Sequence, residues 1–175
     1  TYWGSGNPTP KYDASYRPGD NLYTNSALAI DATTGKLKWF HQYSPNDTLD
    51  FDESGSHILI DGKFGGSDRK LVVRAARNGF VYSFDRLNGQ FLKATQYVSQ
   101  VTWTKGIDPK TGKPLEYDPK APVQMYGENK SLRAGKPEYG QNVCPNWIGS
   151  PTLMPPTYDQ KRSTAYVGAA AGCFS

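Results

Sequence analysis

Two stretches of this chain carry the same short pattern at a fixed offset. The first is Ala27-Leu28-Ala29-Ile30-Asp31-Ala32-Thr33-Thr34-Gly35-Lys36-Leu37-Lys38-Trp39, and the second is Val81-Tyr82-Ser83-Phe84-Asp85-Arg86-Leu87-Asn88-Gly89-Gln90-Phe91. Asp31 aligns with Asp85 and Gly35 with Gly89, an offset of 54 residues both times. Each stretch reads as strand, tight turn, strand: apolar alternation, an Asp opening the turn, and a Gly for positive φ. A period near 50 built from short strands is the pattern of a β-propeller, with one four-stranded blade per repeat. His57 to Asp61 and Leu71 to Arg74 lie between the copies and supply the remaining strands of a blade.

Composition agrees with an all-β chain. Among 175 residues there are 18 Gly, 13 Pro and 12 Tyr, and long apolar runs are missing. Such a chain makes short strands joined by turns and is long enough to bury a sizeable core. No segment has the length and apolarity of a membrane span. The net charge of +4 is spread among carboxylates, whereas a nucleic-acid binder concentrates its basic residues in a stripe. Cys144 and Cys173 match no metal or redox spacing. They fit either two buried thiols or one disulfide, and a disulfide implies an oxidising compartment. The chain opens within a strand-like Thr1-Tyr2-Trp3 and is expected to be the central piece of a longer protein.

Chemistry concentrates in Asn46-Asp47-Thr48-Leu49-Asp50-Phe51-Asp52-Glu53, which places four carboxylates in seven residues. On an extended backbone Asp50 and Asp52 point to the same side. Converging carboxylates repel unless a cation sits between them, and a hard cation with oxygen ligands is the usual resolution. The loop Gly4-Ser5-Gly6-Asn7-Pro8 begins like a dinucleotide fingerprint. Pro8 and Pro10 stand where a helix would start, however, and the third glycine is missing, so that reading fails. Asn7 offers an amide carbonyl of the kind hard cations accept. His41 and His57 have no metal-ligand spacing. From about 103 to 143 the chain is polar and proline-rich, and reads as a long excursion from a blade that caps a site or meets a partner.

Taken together, five stretches resemble the PQQ-dependent alcohol dehydrogenases, a family of eight-bladed quinoprotein propellers. They are the tryptophan-docking hairpin Ala29-x-Asp31-x-x-x-Gly35-Lys36-x-x-Trp39, Gly4-Ser5-Gly6-Asn7-Pro8, Arg17-Pro18-Gly19-Asp20-Asn21, Asp47-x-x-Asp50, and Ala76-Arg77-Asn78-Gly79-Phe80-Val81-Tyr82-x-x-Asp85-Arg86. The resemblance spans roughly the whole chain in the family's order. It implies about three four-stranded blades within one propeller domain covering residues 1–175. It also implies Asn7 as a metal ligand, Asp50 as the base that takes the alcohol proton and as a metal ligand, and Arg77 as a contact to the quinone oxygens of PQQ. Hydride then passes from the alcohol carbon to the quinone while a bound cation polarises its carbonyl. The resemblance further implies a cytochrome c-type acceptor beyond PQQ and the bacterial periplasm as the compartment. Asp52, two residues after the base, resembles the members that use a lanthanide in place of calcium. A trivalent ion calls for the additional carboxylate. Cys144 and Cys173 match the positions of a disulfide in some members.

Three departures stand out. Leu49 precedes the base where the family usually has Trp, and Thr152 stands nearest to an expected Asn. The adjacent cysteines, the stacking Trp and the Glu ligand of the family fall upstream of Thr1. The reading from a different class is a non-catalytic propeller scaffold of the bacterial envelope. It would share the hairpins but has no reason to keep Asn7, Asp50 and Arg77 together.

Overall fold

The computed structural model describes residues 1–126, 142–147, 151 and 154–173. Its strands are antiparallel throughout. The first sheet has the order β1 (Tyr2–Gly4), β2 (Ser26–Ile30), β3 (Leu37–Gln42), and the second has the order β4 (Ile58–Phe64), β5 (Ser67–Ala75), β6 (Phe80–Asp85), β7 (Phe91–Gln96). A hairpin of β8 (Thr157–Asp159) and β9 (Thr164–Tyr166) follows. Among the described residues, then, one blade has all four strands, one has three and one has two. The expected β-propeller architecture is present. Strand alternation does the sorting: in β6 the side chains of Phe80, Tyr82 and Phe84 are buried while Val81, Ser83 and Asp85 are half-exposed.

The repeated pattern folds the same way twice. Gly35 N–H donates to Asp31 O (2.9 Å) and Gly89 N–H to Asp85 O (2.8 Å), with φ of +71° and +77° at the two glycines. Each Asp carboxylate also caps the turn it opens, accepting from Thr33 and Thr34 N–H in one copy and Leu87 N–H in the other. Trp39, in β3, then crosses to the next sheet. Its ring lies so close to Gly89 that a Cβ there would stand 2.7 Å from ring carbons, and its Nε1 donates to Arg86 O at 3.1 Å. Glycine at 89 thus meets two requirements at once, left-handed backbone and room for the docked indole.

The segment expected to be an excursion is packed down over its described part. Asp108-Pro109-Lys110-Thr111-Gly112 makes a third turn of the same kind, with Gly112 N–H donating to Asp108 O at 2.9 Å and φ of +71°. The same Asp-x-x-x-Gly spacing marks this turn in the sequence, off the 54-residue register. Gly112 sits against His41 and Phe91, Lys113 Nζ donates to Gln42 O (3.1 Å), and Tyr117 OH donates to Asp20 Oδ2 (2.6 Å). Trp103 and Tyr126 join the core with Tyr43, Phe51, Val72, Tyr82 and Phe84. The rest of that segment, 127–141, and Thr152 lie outside the described residues. Cys144 and Cys173 form a disulfide across 29 residues of sequence, so the disulfide is the alternative realised.

Candidate active site

Every segment of interest gathers at the strand ends opposite the Asp-x-x-x-Gly turns. β1 pairs with β2 so that Gly4 faces Ala27, and β2 with β3 so that Ser26 faces Gln42. The chain therefore leaves β1 towards Asn7, and leaves β3 towards the acidic stretch, at one end. The β5–β6 turn carrying Arg77 lies at the corresponding end of the second sheet. Gly4 lets these two segments touch: a Cβ there would stand 1.9 Å from Glu53 O. Glu53 N–H then donates to Ser5 O at 3.1 Å. That seam sets the Gly4–Pro8 loop directly over residues 50–53.

The acidic stretch is neither a strand nor a solvated loop. Asn46 and Asp50 have φ of +54° and +62°, so the chain turns sharply, and the four carboxylates go to four different places. Asp47 accepts from Leu49 N–H (3.1 Å) and Phe51 N–H (3.0 Å), which fixes the turn. Asp50, 4% exposed, meets Asn7 Nδ2 on one oxygen, with Lys11 Nζ (3.2 Å) and Tyr12 OH (3.3 Å) on the other. Asp52 accepts from Arg77 Nη1 at 2.7 Å, and the same Nη1 donates to the backbone O of Asp50 at 2.9 Å. Glu53, fully buried, pairs with Arg74 Nε (2.8 Å) and receives the N–H of Arg77 (2.7 Å). Asn7, Asp50, Asp52 and Arg77 are therefore brought together. The parallel projection expected of Asp50 and Asp52 is not what occurs. With Asp50 in the left-handed region, Asp52 turns to Arg77.

Burial governs the electrostatics here. It pushes the Asp47 carboxyl up to about 6, against its backbone hydrogen bonds and Arg17, and the Glu53 carboxyl up to about 7, against the pull of Arg74. Burial likewise raises Asp52, with Arg77 opposing it and Asp50 adding to it. Lys11 is raised by its hydrogen bond to Asp50. His41 and His57 are pushed down to about 3 by burial, His41 within a cluster of aromatic rings and His57 with its Nε2 3.0 Å from Tyr43 OH.

Residues 1–101 match the family described as "PQQ: Glucose/ethanol/alcohol dehydrogenase, beta-propeller domain". The chain belongs to this quinoprotein family. It is 37% identical over 165 residues to quinoprotein alcohol dehydrogenase PedH of Pseudomonas putida, covering 94% of this chain and 26% of that protein. It is 34% identical over 166 residues to the lanthanide-dependent methanol dehydrogenase of Methylorubrum extorquens, covering 95% and 27% respectively. A solved europium-containing methanol dehydrogenase superposes with a TM-score of 0.82 at 29% identity, over 96% of this chain and 27% of that one. The chain thus spans about a quarter of the length of these quinoprotein relatives.

The site suits what quinoproteins of this family hold. Asp50 presents an almost fully buried carboxylate beside an amide, and it already has an ammonium against one oxygen. Its carboxylate oxygens are of the kind hard cations accept. Rotating the Asn7 amide exchanges its NH₂ for its carbonyl towards that cation. Arg77, 7% exposed, has its Nε buried without a partner among the described residues, a fixed positive donor suited to an anionic quinone. No cluster of three or more His, Cys, Asp or Glu side chains forms among the described residues. The candidate cation set consists of one amide and two carboxylates.

Sequence reading assigned no role to the residues that hold this constellation. Arg17 is the clamp. Its Nε donates to Pro10 O (2.7 Å), its Nη1 to Asn21 Oδ1 (2.5 Å), and its Nη2 to Lys11 O (2.7 Å) and Asp47 O. It ties the Asn7 loop to the acidic stretch. The buried Glu53–Arg74 pair fixes the Arg77 turn. The Arg of the Arg17-Pro18-Gly19-Asp20-Asn21 loop and an acid directly after Asp52 were the available signals, but neither names its partner.

Proposed function

We propose that this chain is the part of a PQQ- and metal-dependent alcohol dehydrogenase that carries the base and metal ligands, from an enzyme oxidising a primary or secondary alcohol to the carbonyl compound. One observation carries the reading: Asn7 and Arg77, from segments far apart in sequence, both meet the buried Asp50, one at its carboxylate and the other at its backbone carbonyl. The enzyme is placed in the bacterial periplasm with a cytochrome c-type acceptor. The disulfide is in keeping with an oxidising compartment, and no described helix is long and apolar enough to cross a membrane.

PQQ and the metal ion, when bound, would supply a hydride acceptor and a Lewis acid for its carbonyl. Asp50 takes the hydroxyl proton on a carboxylate oxygen, and Tyr12 OH, 3.3 Å from Oδ2, helps orient that carboxylate. Arg77 supplies a guanidinium beside Asp50 and Asp52 that holds negative charge in place. Asn7 and Asp50 would hold the cation, and Asp52, on turning from Arg77 Nη1, would supply a further carboxylate that favours a lanthanide over calcium.

The test uses the full-length protein. An Asp50→Asn variant should load PQQ yet turn over roughly 10²-fold or more slowly; near-normal turnover would refute Asp50 as the base. Metal-free protein should bind a light lanthanide more tightly than calcium, and an Asp52→Ala variant should lose that preference. A wild-type protein that prefers calcium would refute the lanthanide assignment.

A further inference from the structure

Lys11 is the feature of the site that neither the fold nor the proposed reaction requires. Its ammonium lies 3.2 Å from Asp50 Oδ2, with the Lys11 side chain 47% exposed and that of Asp50 only 6%. The stem therefore reaches in from solvent, and the head sits against a carboxylate that is otherwise shut away. Its backbone does not share this freedom. The carbonyls of Pro10 and Lys11 are both held by Arg17, so the loop is fixed where the side chain is not. The other cation nearby, Arg77, is committed elsewhere. It is 7% exposed and donates to Asp52 and to the backbone of Asp50. The Asp50 oxygen away from Lys11 faces Asn7, and Tyr12 OH shares Oδ2 with Lys11.

We propose that Lys11 is the resident counter-ion of the metal centre. Its ammonium holds the Asp50 carboxylate in metal-free protein and must swing out to solvent for a hard cation to bind, so Lys11 sets the affinity of the centre. This rests on Asp50 being a metal ligand. A cation coordinated by Asp50 would lie about 2.5 Å from a carboxylate oxygen, on the same carboxylate whose Oδ2 the ammonium holds at 3.2 Å. Two like charges that close repel strongly even where solvent screens them. Arg77 is buried and held on two acceptors, so the group that yields is Lys11, whose stem is exposed and whose withdrawal moves no backbone. Lys11 is a positioning residue. It neutralises and orients Asp50 until the metal takes over both tasks.

The experiment is a chelator-buffered Tb³⁺ titration of the full-length, metal-stripped protein, read by calorimetry and by terbium luminescence. Lys11→Met removes the charge while keeping the stem and should tighten Tb³⁺ binding by about three- to tenfold, the upper figure corresponding to about 1.4 kcal/mol. Lys11→Arg keeps the charge and should stay within about twofold of wild type, as expected for a surface-reaching ion pair that is retained. Unchanged or weaker binding in Lys11→Met would overturn the proposal. So would equal tightening in both variants, since the effect would then not follow charge. Asp50→Asn separates the two levels of the argument. If it binds Tb³⁺ as well as wild type, the assignment of Asp50 to the metal centre fails. If it loses Tb³⁺ while Lys11→Met is unchanged, only the role of Lys11 fails.

Discussion

Gly35 and Gly89 occupy the same place in the two copies of the repeat, and their replacement by alanine should separate backbone strain from blade docking. Both have left-handed backbone, with φ of +71° and +77°. At Gly35 a Cβ would meet nothing within 4 Å, so Gly35→Ala should cost only the left-handed penalty, about 1–2 kcal/mol. At Gly89 the Cβ would stand 2.7 Å from two ring carbons of Trp39 and 3.0 Å from its Cβ. That ring cannot easily yield. Its Nε1 is bonded to Arg86 O, and it packs between Tyr2 and Phe84 at centroid distances of 5.8 and 6.3 Å. Overpacking of this kind adds about 1–3 kcal/mol, for a total of about 2–5 kcal/mol. The assay is urea unfolding of the full-length variants, with PQQ and metal held at the same saturation because bound ligands shift the midpoint. Equal losses at the two positions would refute the argument that Trp39 docks on Gly89. A loss at Gly35 as large as about 4 kcal/mol would refute the assignment of its cost to φ alone.

Glu53→Gln should destabilise the full-length protein by about 3–5 kcal/mol, because Arg74 is left charged and buried without its partner; a loss under about 1 kcal/mol in equilibrium unfolding would refute the pairing. His41 and His57 titrate at about 3 in the folded chain, below the unfolded value near 6.5. The unfolded state therefore binds more protons in that window, and the stability they contribute is present above pH 6.5 and lost as pH falls towards 3. His41→Phe should flatten the dependence measured by unfolding across that range, and an unchanged slope would refute the burial of a neutral His41. Alkylation of the unreduced protein should label neither Cys144 nor Cys173. Removing the bond by Cys144→Ala should cost on the order of 3 kcal/mol for a loop of this length, and a variant as stable as wild type would refute that contribution.

What could be read from the sequence was local. The hairpins were legible because turn chemistry is a property of a few adjacent residues: an Asp that caps its own turn, a Gly that accepts positive φ, and alternation that sorts two faces. The strand pairs between them were legible for the same reason. The sequence also singled out Asn7, Asp50, Asp52 and Arg77 by their resemblance to a family, and carried in Asp108 to Gly112 the signal of a third turn. Tertiary structure decided where those side chains point and what holds them. On extended chain Asp50 and Asp52 would converge, yet the left-handed backbone at Asp50 separates them, since a single φ reverses the projection that extended chain would give. Gly4, Arg17 and the Glu53–Arg74 pair do the holding. Their effect comes from contacts across 49, 30 and 21 residues of sequence, which no local pattern encodes. Lys11 is the clearest case. In the sequence it is one of 20 basic residues, and it acquires its role because Arg17 pins its backbone beside a carboxylate that burial has deprived of water.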